Sequence, residues 1–177
     1  MKTFPCFEKP NIIEALVCFY DITNFTQIVK KLNNALSVVE FIQQVSYIVS
    51  KKITETCGKI IKYIGDAGII IFPDECVDEG VNILIQTQKE MHDFFISHNL
   101  NNRTTFSIHY GEIAIGKLEP FTKMDIFGDT VNVAATLERQ SNYKGKFIMS
   151  PQVFRKLNPK TRKLVHKFTP PVVYILN

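Results

Sequence analysis

The stretch Gly58-Lys-Ile-Ile-Lys-Tyr-Ile-Gly-Asp-Ala-Gly-Ile-Ile-Ile-Phe72 constrains the fold of this chain more than any other. Two Ile-rich runs flank Ile64-Gly65-Asp66-Ala67, a spacing that predicts buried strands joined by a tight turn with a carboxylate at its tip. The only charges in the stretch are Lys59, Lys62 and Asp66. A charge set between apolar strands is costly unless a partner, a metal or a ligand compensates it. A turn Asp bonded to its own backbone, with Lys62 in solvent, would also account for the pattern.

A second carboxylate narrows the choice. Ala15-Leu-Val-Cys-Phe-Tyr-Asp21 is another apolar run ending in an acid, and Ile22-Thr-Asn-Phe-Thr26 then reads as a loop entering a helix. If the two strands are neighbours, Asp21 and Asp66 meet at one sheet edge. Hard divalent cations take such oxygen ligands and fill their remaining positions with water or substrate phosphates. The helix start after Asp21 offers backbone amides to a phosphate.

Much of the remaining chain reads as support. Val38, Phe41, Ile42, Val45, Ile48, Val49 and Ile53 fall on one face of a helix from about Asn33 to Thr56, capped by Asn33 or Asn34 and ended by Gly58. A second helix, about Val77 to Ser97, carries Val81, Leu84, Ile85, Gln88, Met91, Phe94 and Phe95 as its stripe. Thr104 to Gly116 alternates as a long strand, with Gly111 marking a bulge or a close backbone approach. His109, in mid-strand, is read as structural. The order strand, helix, strand, strand, helix, strand predicts an α+β fold of the ferredoxin-like βαββαβ type.

At 177 residues and 45% hydrophobic content the chain suits one domain, residues 1–177, with a core that needs no staples. No run approaches the roughly 18 apolar residues of a membrane span, and the opening residues lack the apolar centre of a signal peptide. A cytoplasmic protein is expected. Cys6, Cys18, Cys57 and Cys76 show no C-x-x-C spacing, so buried free thiols are expected in place of disulfides or zinc ligands.

Asp125 to Glu138 reads as a short strand, a Gly turn and a helix whose Val131, Ala134, Ala135 and Leu137 pack inward, while Asn132 and Thr136 share a face. Blandly read, Asn132 is a first-turn helix residue and Asp125 a polar strand end. From Arg139 onward there is no acid, while nine of the 21 Lys and Arg occur there, among them Lys144 and Lys167. Such asymmetry suits a polyanion or a solvated face. No aromatic platform accompanies it, which disfavours a nucleic-acid partner.

Four pieces in order, Phe19-Tyr-Asp-Ile-Thr-Asn-Phe-Thr26, Lys62-Tyr-Ile-Gly-Asp66, His109-Tyr-Gly-Glu112 and Asp125-Ile-Phe-Gly-Asp-Thr-Val-Asn-Val-Ala134, resemble the catalytic domain of class III adenylate/guanylate cyclases. The resemblance spans roughly Ala15 to Leu176. It implies the cyclase palm, an antiparallel-rich sheet with helices on one face and C-terminal strand additions. It further implies a dimer whose shared sites convert ATP to 3′,5′-cyclic AMP and pyrophosphate. Asp21 and Asp66, with the carbonyl of Ile22, would hold two Mg²⁺ or Mn²⁺ ions per site. Thr23, Asn24, Phe25 and Thr26 would cradle phosphates. Lys62 and Asp125 match the adenine-reading pair, Asn132 the ribose-orienting residue donated by the other subunit, and Lys167 a triphosphate lysine, although Phe168 replaces the glycine that usually follows. One departure stands out: Thr136 occupies the place of the family's transition-state arginine. Arg139, three residues on, is the candidate substitute, and a partner chain supplying the arginine in a heterodimer is another. An inert cyclase-like module that binds nucleotide or a regulatory partner is the alternative function.

Overall fold

The computed structural model describes Phe4, residues 9–117 and residues 123–177. Cys6 and the opening three residues lie outside them. Strand β1 (Asn11–Ile22) is the axis of the fold, paired antiparallel with β3 (Ala67–Pro73) on one side and β4 (Thr104–Lys117) on the other. Its run Ala15–Cys18 is fully buried because both sheet faces are covered: Leu16, Cys18 and Tyr20 enter one core, Ala15 and Val17 another. A strand covered on both faces reads as a continuous apolar run without alternation.

Strand β2 (Lys59–Ile64) pairs with β3 through the expected tight turn, where Gly65 sits at φ +63°. A bulge between Ile60 and Lys62 interrupts their register, and such an extra residue re-aims the side chains that follow it. Strands β5 (Met124–Phe127), β6 (Phe147–Met149), β7 (Val165–Phe168) and β8 (Val173–Leu176) complete a sheet of order β2-β3-β1-β4-β6-β8-β7, with β5 on the far end of β4. The first four strands carry the ferredoxin-like order, and β6 to β8 are the C-terminal additions.

Helix α1 (Phe25–Leu32) follows β1, and α2 (Ala35–Thr54) follows at once. Asn34 caps α2 by accepting from the amides of Leu36 at 2.8 Å and Ser37 at 3.4 Å. Phe41, Val45, Val49 and Ile53 form its buried stripe, one side chain per turn, and meet α3 (Val77–Ser97) over the Leu16 face of the sheet. Helix α4 (Asp129–Arg139) crosses the opposite face, so the expectation of helices on one face holds for α2 and α3 and not for α4. The cause is visible in β1 and β3, whose Val17, Ile69 and Ile71 would otherwise be bare. Short helices α5 (Pro151–Lys156) and α6 (Pro159–Arg162) link the last strands.

Gly111 marks a close approach and no bulge: β1–β4 pairing runs through it unbroken, and a Cβ there would lie 2.7 Å from Thr130 Oγ1. His109 is buried with Nδ1 2.8 Å from Ser150 Oγ, and burial lowers its pKa. One expectation is overturned. Cys57 and Cys76 form a disulfide, joining the end of α2 to the 3₁₀ turn (Asp74–Cys76) that opens α3. The residues are 19 apart in sequence, and β2 and β3 run out and back between them, so the hairpin brings its two ends together. Cys18 remains a buried free thiol.

Candidate active site

Antiparallel pairing of β1 with β3 sets Tyr20 opposite Gly68, so Asp21 lies beside the β2–β3 turn that carries Asp66. The two half-buried carboxyls are close enough to interact electrostatically. Burial raises the pKa of Asp21 to about 6, and the charges of Asp66 and Glu138 add to the rise. Burial likewise raises Asp66. Two acids that hold on to protons here are short of positive charge. That deficit, with an all-oxygen donor set, fits divalent metal. The side chain of Ile22 is buried in the core, leaving its backbone as the part that can serve a site.

Lys144 partly fills the deficit. Its ammonium lies 3.6 Å from Asp21 and 3.2 Å from Glu138. Sequence reasoning counted Lys144 only within the basic tail and gave Glu138 no role, because a 3₁₀ turn (Ser141–Tyr143) after α4 swings the lysine back. No periodicity announces such a return.

The loop after Asp21 is fastened from below. Thr23 donates its amide (2.8 Å) and hydroxyl (3.0 Å) to the carbonyl of Arg103 and accepts the amide of Arg103 at 3.0 Å, while Asn102 Nδ2 reaches the Thr23 carbonyl at 2.6 Å. Asn24 takes a left-handed conformation at φ 55°, and α1 begins at Phe25 with no side-chain cap. Uncapped first-turn amides suit an anion. The ring of Phe25 packs against Phe41 in the core, so only its backbone faces this duty, and Thr26 is exposed.

Lys62 and Asp125 meet at 2.6 Å, each partly exposed. Strand β5 brings Asp125 there through its pairing with β4, where Asp125 lies opposite Gly116. Asn132, Thr136 and Arg139 are all exposed on α4. Lys167 is exposed on the edge strand β7, four strand steps from β1, or on the order of 20 Å at sheet spacing. One chain therefore gathers Asp21, Asp66 and the Thr23 loop, and separately Lys62 with Asp125. It does not bring Lys167 to the acids.

The family model for the adenylate and guanylate cyclase catalytic domain matches residues 8–170. The chain belongs to that cyclase family. As a cyclase-family domain it is 26% identical over 153 residues to an adenylate cyclase of Anabaena cylindrica, covering 80% of this chain and 30% of that protein. It is 30% identical over 136 residues to the receptor-type guanylate cyclase gcy-23 of Caenorhabditis elegans, covering 72% and 13%. The chain spans less than half the length of these relatives. Among solved structures, the adenylyl cyclase CyaB from P. aeruginosa superposes with TM-score 0.78 at 19% identity over 96% of each chain. A double mutant of the guanylyl cyclase domain of the RhoGC fusion protein from Blastocladiella emersonii gives 0.81 at 19%, over 96% and 98%. These superpositions establish the cyclase fold. Relatives named for either nucleotide leave the base to be argued from the chain's own residues.

Among the described residues no helix is long and apolar enough to cross a membrane.

Proposed function

We propose that residues 1–177 form one cyclase domain converting ATP to 3′,5′-cyclic AMP and pyrophosphate at an interface shared by two copies of the chain, in the cytoplasm. The observation that carries this reading is the Asp21–Asp66 pair, two half-buried, mutually interacting acids beside an uncapped helix start. Asp21, Asp66 and the carbonyl of Ile22 would hold two Mg²⁺ or Mn²⁺ ions. When bound, these would acidify the attacking hydroxyl and offset charge on the leaving phosphates.

The ribose 3′-oxygen forms a bond to the α-phosphorus as the bond from that phosphorus to the oxygen bridging the α- and β-phosphates breaks, the hydroxyl proton passes to water, and pyrophosphate departs with the bridging oxygen. Amides of Thr23, Asn24, Phe25 and Thr26 hold the phosphates. Lys62 donates to adenine N1, and Asp125 accepts from the exocyclic amine, so their mutual contact opens to admit the base. Asn132 of the second copy orients the ribose, Lys167 of that copy reaches the triphosphate, and Arg139 supplies the charge that Thr136 cannot. The exposure of Asn132, Arg139 and Lys167 supports their donation across an interface.

A second reading, an inert regulatory dimer module, is favoured by the single observation of a neutral Thr136 exposed on α4. Purified protein incubated with ATP and Mn²⁺ decides between them. Cyclic AMP and pyrophosphate should form in equal amounts and vanish in Asp66→Ala. Metal-dependent ATP binding with no cyclic product would leave the module reading.

A further inference from the structure

Behind the fastened loop lies a cavity of about 290 Å³ between α3, the start of β4 and the end of β8. Ile85 and Leu176 give it apolar walls. Its ionisable lining is Lys89, His92 and Arg103, with no acid among them. Ile85, Lys89 and His92 recur at i, i+4 and i+7 on one face of α3, so the helix presents an apolar residue and two potential cations to the same space.

Among the described residues, none of these three side chains makes a hydrogen bond or an ion pair. Of the two acids adjacent to them in sequence, Glu90 turns away to Lys52 on α2 at 3.1 Å, and Asp93 is exposed and outside the lining. Arg103 gives only its backbone to Thr23, which leaves the guanidinium uncommitted. Gly145 opposite it, at φ +75°, clears its path, since a Cβ there would lie 3.0 Å from the Arg103 stem. Two other cations of the basic region are held in ion pairs: Lys144 on Asp21 and Glu138, Lys156 on Asp74.

We propose that this cavity binds a small organic anion, an apolar body bearing one carboxylate or phosphate. The guanidinium fork of Arg103 matches the planar or trigonal oxygen array, Lys89 adds charge, His92 offers a ring N–H donor, and Ile85 and Leu176 meet the body. At about 290 Å³ the space lies at the lower bound of ligand pockets, too small for a nucleoside triphosphate. The site stands whether or not the domain turns over ATP. Its location makes occupancy relevant to the phosphate loop, because the residue that grips the anion by its side chain grips Thr23 by its backbone.

The test is a titration of the isotope-labelled protein, followed by amide NMR, with benzoate, phenyl phosphate and uncharged benzamide in turn. At least one anion should saturate with Kd of about 1 mM or below, shifting amides of residues 85–92, 103–104 and 145, while benzamide binds more weakly. Comparing the two anions separates carboxylate from phosphate as the preferred head. Lys89→Ala and Arg103→Ala, both exposed substitutions, should each weaken binding about tenfold, as loss of a charged hydrogen bond does. Arg103→Lys should recover part of it. The proposal is overturned by no saturation with either anion, by equal binding of benzamide, by indifference to both alanine variants, or by shifts confined to residues 21–26 and 66.

Discussion

Lys144 holds its ammonium 3.6 Å from the carboxylate of Asp21, where a bound cation would have to come. The lysine therefore competes with metal while offsetting part of the charge that the two acids gather. Lys144→Met should strengthen Mn²⁺ binding near pH 8 by about two- to fivefold, the scale of one partly exposed ion pair. Calorimetric titration measures it. Weaker binding in the variant would mean that Lys144 supports the site.

Protons are the other competitor. Asp21 titrates at about 6 in the metal-free fold, above the ordinary carboxylate value. As pH falls below about 6 the metal must displace a proton, so Mn²⁺ affinity should drop about tenfold per unit there and level off above. The sign for stability is the reverse: a raised carboxylate favours the metal-free fold at low pH, and this contribution is lost as pH climbs from about 4 to about 6. Thermal unfolding with EDTA and with Mn²⁺ across that window should diverge most on its alkaline side. Parallel melting curves would contradict it.

The Lys62–Asp125 contact should decide the base. ATP should bind better than GTP, since a guanine edge reverses the donors and acceptors and leaves polar groups unpaired at about 1 to 3 kcal/mol each. Lys62→Glu with Asp125→Cys should move preference toward GTP in competition binding. Equal affinity for both nucleotides in the wild type and the double variant would remove these residues from base reading.

Legibility in the sequence followed the range of the forces involved. Strands β1 and β3 and helices α2 and α3 were readable because their apolar spacing is set by neighbours in the chain, and α3 begins and ends at the expected Val77 and Ser97. Asp21, Asp66, Lys62 and Asp125 were readable because each sits in a local motif, and the fold brings them together in pairs. The Cys57–Cys76 bond and the return of Lys144 to Asp21 depend on the path of intervening segments, which composition does not encode. Placement of α4 on the second sheet face followed from side chains of β1 and β3 whose need for cover appears only once both strands are paired.

Thr136→Arg tests the gap on α4. It restores a guanidinium one turn beyond Asn132 on the exposed face. Turnover should rise by about one to three orders of magnitude with little change in ATP affinity, because a contact made in the transition state alters kcat more than binding. Arg139→Ala in the unaltered chain should abolish residual activity if Arg139 supplies the charge. A folded, dimeric, ATP-binding Thr136→Arg protein that makes no cyclic AMP would retire the enzymatic reading.

Mixing experiments address the shared site. Chains carrying Asp21→Ala and Asp66→Ala should be inactive alone, as should Asn132→Ala chains, while their heterodimer would retain one complete set. Verified heterodimers should show about half the activity of wild-type dimers, as one of two isologous sites is intact, and an equal unsorted mixture about a quarter. Verified heterodimers without activity would place all the needed groups on one chain.

The four hydrogen bonds that tie Thr23 to Asn102 and Arg103 bear on the kinetics of capture. A loop fastened before any nucleotide arrives has its ordering entropy already settled, so the phosphates meet a finished loop. Nucleotide association should then follow a single exponential whose rate stays proportional to concentration, with no plateau from a loop that must first close. Loosening one tie, as in Asn102→Ala, should introduce that plateau and leave the release rate nearly as before.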